Sequence, residues 1–312
     1  MSDKTTIRKL AAELSLSRST VHRALSGHPS VHQETRQKVL NAARKKGYEL
    51  FEYKKNIAII VPSSNWFGYL NCMLTTLERE FRRRGFLLEM LTHKDIDLLK
   101  NYMFGGIVSL VWMKGMEKTL PQMFPVPILT VNAASNMLES VPAVMSDPHG
   151  IRIALDYLYA RGCRRICFIT TVTKFNPDSA LRLEEFRKFC LETGQNFETM
   201  YQETGSAEAA VPMILQTRPD ACFCASEEFA ARIGLELKKA GIRIPEDISL
   251  MGLETRFLNE CFSPPITAIR QDFEQLAAVA AESMYQAIIN KIPLCGATIP
   301  FQLIERESVR QP

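Results

Sequence analysis

Residues Thr6 to Tyr48 set the strongest limit on what this chain can fold into, because three short helical periodicities follow one another with only tight turns between them. Ile7, Leu10, Ala11 and Leu14 fall on one face of a helix, at the i, i+3, i+4, i+7 spacing of an amphipathic stripe. A second helix starts at Ser17, whose hydroxyl is suited to cap the free N–H groups of the first turn. Its period turns Val21, Ala24 and Leu25 inward and leaves Arg18, Ser19, His22 and Arg23 outside. A third runs from about Gln33 through Val39, Leu40 and Ala43, and Gly47 is placed to end it in a left-handed conformation. Two helices at a tight turn, the second with an outward row of arginines fit for guanine edges, predict a helix-turn-helix headpiece for the major groove.

Charge supports that reading over a small protein-binding bundle. Residues 1–55 hold 12 Lys and Arg against 5 Asp and Glu, a balance of +7; the whole chain is +4, so the remainder carries −3. Basicity gathered in about one sixth of the chain is the footprint expected where only that part meets phosphate.

The other 250 or so residues leave room for a core of two subdomains. No apolar run approaches the roughly 18 residues needed to cross a bilayer, and the N-terminus is polar and basic, so a cytoplasmic protein is expected. Of the eight cysteines, Cys163 with Cys167 and Cys222 with Cys224 lie in apolar runs with no histidine pair at zinc spacing, which reads as reduced packing residues. No metal or cofactor is implied.

From Asn56 the chain alternates short apolar runs with helical segments. Ile57-Ala-Ile-Ile-Val, Phe86–Leu91, Gly106–Val111 and Pro127–Val131 read as strands, as do Arg165–Ile169, Ala221–Ala225 and Ile248–Gly252. Helical patterns lie at Leu70–Arg84, His149–Ala160, Ala180–Glu192, Glu227–Ala240 and Gln275–Asn290. Continuously apolar strands joined by crossover helices predict an α/β fold with parallel sheets covered on both faces, in two Rossmann-like lobes. Ligands of such folds sit beyond the carboxyl ends of the strands. No Gly-x-Gly-x-x-Gly follows the first strand. A Walker loop, a Gly-x-Ser-x-Gly elbow and a His-Glu-x-x-His helix are absent too, so catalysis has no visible motif.

The stretch Thr6-Ile-Arg-Lys-Leu-Ala-Ala-Glu-Leu-Ser-Leu-Ser-Arg-Ser-Thr-Val-His-Arg-Ala-Leu-Ser-Gly, followed by Val31-His-Gln-Glu-Thr-Arg-Gln-Lys-Val, resembles the headpiece of the lactose-repressor (LacI/GalR) family, and the similarity continues through nearly the whole chain. The resemblance implies base reading by Arg18, Ser19 and Arg23, with backbone or flanking contacts from Thr6, Ser17, Thr20, His22, Ser26, Val31 and Thr35. Ser15 stands where the family usually has a turn glycine, at a cost of about 1 kcal/mol if its φ is positive, and His22 replaces a frequent serine. The resemblance also implies a core of periplasmic-binding-protein type whose chain crosses between lobes near Gly162, Ala268 and Cys295. The expected division is a headpiece over 1–49, a linker over 50–56 and an effector and dimerisation domain over 57–312.

Ligand candidates follow on that basis. Trp66 and Phe67, after the first strand, offer aromatic faces to a sugar or a flat base. Arg182 matches the family's ligand-binding arginine, whose fork holds vicinal oxygens. Ser226-Glu227 stands where the family commonly has Asn-Asp, and Glu254 where it has an aspartate that grips hydroxyls. Asp147 either caps the helix at His149 or reaches the cleft. The implied protein is a homodimeric regulator of double-stranded operator DNA, a repressor by default, that senses a sugar or sugar derivative, with a nucleobase or nucleoside as second choice. Other readings are a solute-binding module whose N-terminal domain contacts a protein, and a carbohydrate- or nucleotide-modifying enzyme on a DNA tether. One departure is sharper. Only Glu49-Leu-Phe-Glu-Tyr-Lys-Lys lies between Tyr48 and Asn56, too short for the family's hinge helix of two turns with flexible joints, so Leu50 and Phe51 are expected to pack rather than wedge into a minor groove.

Overall fold

A computed structural model describes residues 6–46, 48, 55–62, 68–111, 116, 120, 124–133, 141–170, 177–227, 229–254 and 258–311. The expectations for Gly47, Leu50, Phe51, Trp66 and Phe67 lie outside these residues. Helices α1 (Ile7–Glu13), α2 (Arg18–Leu25) and α3 (Gln33–Lys45) form the headpiece around Leu10, Val21, Val39, Leu40 and Ala43, all at most 1% exposed. Burying each branched side chain contributes roughly 1.5–3 kcal/mol. These few contacts hold a very small domain together.

Its turns are specified by backbone groups. α1 ends with Ser15 N donating to Ala12 O at 3.3 Å and Leu16 N to Ala11 O at 2.9 Å, and α2 ends the same way with Gly27 N to Ala24 O and His28 N to Arg23 O. Both are Schellman motifs, which need one left-handed residue after the helix. Gly27 supplies it at φ +70°, but at the first turn Ser15 is forced to φ +54°. The expected strain at Ser15 is therefore present.

The rest builds two parallel sheets. Strands β1 (Asn56–Val61), β2 (Leu87–Thr92), β3 (Gly106–Ser109), β4 (Ile128–Val131) and β5 (Ala143–Ser146) lie in one sheet in the order β5-β4-β3-β1-β2, each neighbour parallel. Strand β6 (Ile166–Thr170), β7 (Tyr201–Glu203), β8 (Ala221–Glu227), β9 (Ser249–Glu254) and β10 (Thr267–Arg270) make the second sheet, ordered β10-β9-β8-β6-β7, again parallel. β11 (Ala297–Ile299) extends the first sheet beside β5, and β12 (Gln302–Ile304) closes the second antiparallel to β10. Crossovers run through α4 (Tyr69–Arg83), α5 (Arg152–Ala160), α6 (Pro177–Thr193), α7 (Phe197–Met200), α8 (Val211–Thr217), α9 (Phe229–Lys239) and α10 (Phe273–Ile289). The seven expected strands and five expected helices form within a few residues of their predicted limits. Helix packing is close enough to demand glycine at one strand position: a Cβ on Gly252 would lie 2.6 Å from Ala230 Cβ of α9, an atom fixed to the helix backbone.

The chain divides into two compact units. The first comprises Met1–Asn65, Leu74–Met145 and Leu276–Ala297, the second Trp66–Met73, Ser146–Gln275 and Thr298–Pro312. The first crossing after the sheet therefore falls between Met145 and Ser146, not near Gly162. Helix α5 decides it, because Ile151, Leu155 and Leu158 pack into the second unit's core with Ile166, Phe168 and Phe223. Two further crossings, at 275/276 and 297/298, fall several residues after Ala268 and two after Cys295, and the division adds an unexpected pair at 65/66 and 73/74.

All eight cysteines are free thiols, and Cys163, Cys167, Cys190, Cys222 and Cys224 are buried. Cys222, packed at 3.5 Å from Cys167, is pushed well above the usual thiol range by burial, so these sulfurs serve as apolar filling. Among the described residues no helix is long and apolar enough to cross a membrane.

Candidate functional site

The outward face of α2 is polar, exposed and locally ordered. Ser17 caps the helix by accepting from Thr20 N at 3.0 Å, and its hydroxyl lies 2.8 Å from both Ser19 Oγ and Thr20 Oγ1. Arg18, Ser19, His22 and Arg23 are exposed beyond this cap, while Val21, Ala24 and Leu25 hold the opposite side in the core. Ser26 Oγ donates to Arg23 O at 3.2 Å at the helix end. Thr6 caps α1 by accepting from Lys9 N at 3.3 Å, which gives it a structural task besides any contact to DNA. Thr6, Arg8, Arg18, Ser19, His22 and Tyr48 line one shallow depression with Ile7. Arg8 and Tyr48 were not singled out in the sequence, since neither lies on the recognition helix; Tyr48 is half-buried against the headpiece core, which pushes its phenol above the ordinary range. Val31 and Thr35 are half-exposed at the start of α3. The loop before them is shaped by Arg36, whose guanidinium donates to His28 O at 2.6 Å, and by the 2.8 Å contact of His28 Nδ1 with Ser30 Oγ.

A second polar set sits in the second unit, at the carboxyl ends of its strands. Strand order β9-β8-β6-β7 reverses between β6 and β8, and such switch points are where doubly wound sheets bind ligands. Thr170 ends β6 and Ser226 lies at the end of β8, both buried, and the Thr170 hydroxyl has no hydrogen-bond partner among the described residues. An orphaned buried hydroxyl is unfavourable by about 1–3 kcal/mol, which a ligand oxygen there would relieve. Arg182 of α6 is buried against the end of β8, its Nη1 3.4 Å from the carbonyl oxygen of Ala225, the residue before Ser226. Next along the sheet, Glu254 ends β9 at 3% exposure and receives Arg306 in fork geometry, Nη1 to Oε2 at 2.6 Å and Nη2 to Oε1 at 3.1 Å, with Arg270 Nη1 at 3.9 Å. Arg306 is in turn fixed by its Nη1 donating to Ile266 O at 2.6 Å and its backbone N–H to Thr267 Oγ1 at 3.0 Å.

The strand ends thus bring together Arg182 and Ser226, with Glu254 on the adjoining strand. Each Glu254 oxygen retains a lone pair beyond the Arg306 fork, so the carboxylate can still accept from a ligand hydroxyl. Asp147 is engaged elsewhere: its Oδ1 accepts from His149 N at 2.9 Å and its backbone N–H donates to Ile299 O at 2.8 Å, in the turn ahead of α5, whose N-cap is Ile151 and has no side-chain cap hydrogen bond, so the expected cap by Asp147 does not form. Thr170 and Arg306 were missed. Thr170 had the weak signal of a hydroxyl closing an apolar run, and Arg306 pairs with a residue 52 positions earlier, a distance no local pattern spans.

A basic helix-turn-helix domain followed by an α/β core with buried polar groups at a sheet's switch point defines a DNA-binding regulator that answers to a small ligand. Residues 6–49 match the family described as "Bacterial regulatory proteins, lacI family", and residues 155–309 match "Periplasmic binding protein-like domain". The chain belongs to the lacI family of bacterial transcription regulators. It is 24% identical over 298 residues to catabolite control protein A of Priestia megaterium, covering 88% of this chain and 90% of that protein. Among solved structures it is similar to the transcriptional regulator CelR in complex with cellobiose, at TM-score 0.72 and 24% identity over 98% of this chain and all of that one. The Lac repressor dimer bound to operator and an anti-inducer matches at TM-score 0.67 and 17% identity, covering 98% of this chain and 99% of that one.

Proposed function

We propose that this protein is a cytoplasmic, homodimeric transcriptional repressor in which α2 reads operator bases and a sugar or sugar derivative at the second unit's strand ends sets DNA affinity. Arg18, Ser19 and Arg23 take the base edges, and Thr6, Ser17, Thr20, His22, Ser26, Val31 and Thr35 take backbone and flanking contacts. The observation that carries this is the α2 face itself, where four polar side chains including two arginines stand exposed on a helix whose other side is core. Two copies double the few base pairs one headpiece can read.

In the ligand site Arg182 forks two vicinal oxygens, Ser226 and Thr170 exchange hydrogen bonds with hydroxyls, and Glu254 accepts from a hydroxyl while Arg306 keeps its charge compensated. Trp66 and Phe67 are proposed to supply the apolar face, and Asp147 to hold the approach to α5. A polyhydroxylated ligand suits this mixture better than a flat base, and the cellobiose bound by CelR belongs to that class. The test is to select duplex fragments with the pure protein, then to screen cellobiose, ribose, other sugars and nucleosides by thermal shift. A sugar that raises the melting temperature and also changes affinity for the selected duplex is the expected result. A nucleoside that does both while no sugar does would overturn the ligand class, and failure to enrich any duplex sequence would overturn the operator reading.

A further inference from the structure

Away from α2, helix α3 carries a second polar row, Gln37, Asn41 and Arg44, three and four residues apart and therefore on one side. This row meets residues 99–103 of the same compact unit. One Arg44 terminal nitrogen donates to Leu99 O at 3.1 Å, to Lys100 O at 2.9 Å and, more closely still, to Tyr102 O, at the C-terminal end of the 3-10 stretch His93–Asn101. The other donates to Asn41 Oδ1 at 3.3 Å, and the guanidinium carbon stands 5.2 Å from the centre of the Phe124 ring. Gln37 Nε2 donates to Asn101 Oδ1 at 3.2 Å, and Met103 packs against the headpiece core.

Carbonyls at the end of a helical turn carry the negative end of its dipole, so a cation placed there is favoured, and it adds to the 3.2 Å bond that Leu99 O already accepts from Tyr102 N. Burial pulls Arg44 down to about 10, and the guanidinium therefore stays charged at neutral pH. The docked headpiece leaves Arg18, Ser19, His22 and Arg23 exposed, so docking and DNA reading are compatible. Seven residues, Glu49 to Lys55, join the two parts in sequence, and released from the dock they would let the headpiece wander by about 25 Å at most, at roughly 3.3–3.6 Å per residue.

We infer that Arg44 is a positioning residue: it fastens each headpiece to its own first lobe, so that the lobe, in place of a folded hinge helix, aims α2 and fixes the half-site spacing that the protein accepts. The inference rests on the proposed dimer, because spacing has meaning only for two headpieces. A headpiece held rigidly offers its second binding event a high effective concentration at one spacing, and a loose one spreads it over many.

The experiment pairs two readouts on the full chain. Duplexes with the selected half-sites at the native separation and at two base pairs more or less are titrated with wild type, Arg44→Ala, Arg44→Lys and Asn101→Ala, and affinity for a single half-site is measured alongside. Amide hydrogen exchange is followed at residues 99–103 and in the cores of α1 to α3. Wild type should prefer one spacing by about tenfold or more, and Arg44→Ala should bring the ratio to about twofold. Single-half-site affinity should stay within about twofold, exchange at 99–103 should quicken, and the headpiece cores should remain protected. Arg44→Lys should restore part of the spacing preference, and Asn101→Ala, which lies on the lobe, should weaken it slightly. An unchanged spacing profile in Arg44→Ala overturns the inference, as does equal loss on single and paired half-sites or exchange at 99–103 that does not respond. One chain per duplex would refute the dimer instead, and the exchange readout would still decide the docking.

Discussion

The reading face of α2 and the strand ends of the second lobe are both polar, but they stand in opposite relation to the fold. On α2 the arginines face water, and the helix is held by its cap and by three apolar residues on the other side. At the strand ends the polar groups are buried, and the Glu254–Arg306 pair ties the end of β9 to the chain after β12. A solvated site can change its specificity with little effect on stability. A buried one cannot, since removing one partner strands the other in a low-dielectric interior.

The largest expected effect tests that contrast. Glu254→Ala leaves the Arg306 guanidinium without its carboxylate and should destabilise the second lobe by about 3–5 kcal/mol in urea unfolding. Replacing both residues, Glu254→Leu with Arg306→Met, should recover most of that loss. A single-variant cost under about 1 kcal/mol would mean that the pair behaves like a surface ion pair. At the headpiece, Ser17→Ala should lower stability by about 1 kcal/mol through loss of the cap. Ser17→Asp should keep the cap but weaken DNA binding by placing an anion near phosphate; equal DNA affinity in the two variants would move Ser17 off the interface. The smallest effect is at the strained turn, where Ser15→Gly should raise headpiece stability by up to about 1 kcal/mol because glycine adopts positive φ without steric cost. A drop in melting temperature would show that the chain entropy of glycine outweighs the relieved strain.

Legibility in the sequence followed the range of the interactions. The cap at Ser17, the inward stripe of Leu10, Val21 and Leu40 and the exposed arginines are all set by residues a few positions apart, and all could be read from the sequence. The long apolar strands were legible for the same reason. Strands β5, β7, β10, β11 and β12 were not, because each is only three or four residues long and no longer apolar run surrounds it, as Gly106–Val111 and Pro127–Val131 surround the equally short β3 and β4; Ala143–Ser146 and Gln302–Ile304 are recognisable only by their neighbours in the sheet. The placement of α5 depended on which lobe its Leu155 and Leu158 find. Arg44 looked like any basic residue in a last helical turn until the carbonyls 55 to 58 residues away were seen around it.

Base reading by α2 is the central claim, and Arg23→Ala measures it most directly. Fluorescence anisotropy with the selected duplex and with a random duplex of equal length, at the same salt, gives two affinities for each protein. The account predicts a loss of about 1–3 kcal/mol on the selected duplex, roughly 5- to 160-fold, with a flattened preference at one base pair and less than about a twofold change on random DNA. An equal loss on both duplexes would contradict it and leave Arg23 as a phosphate contact.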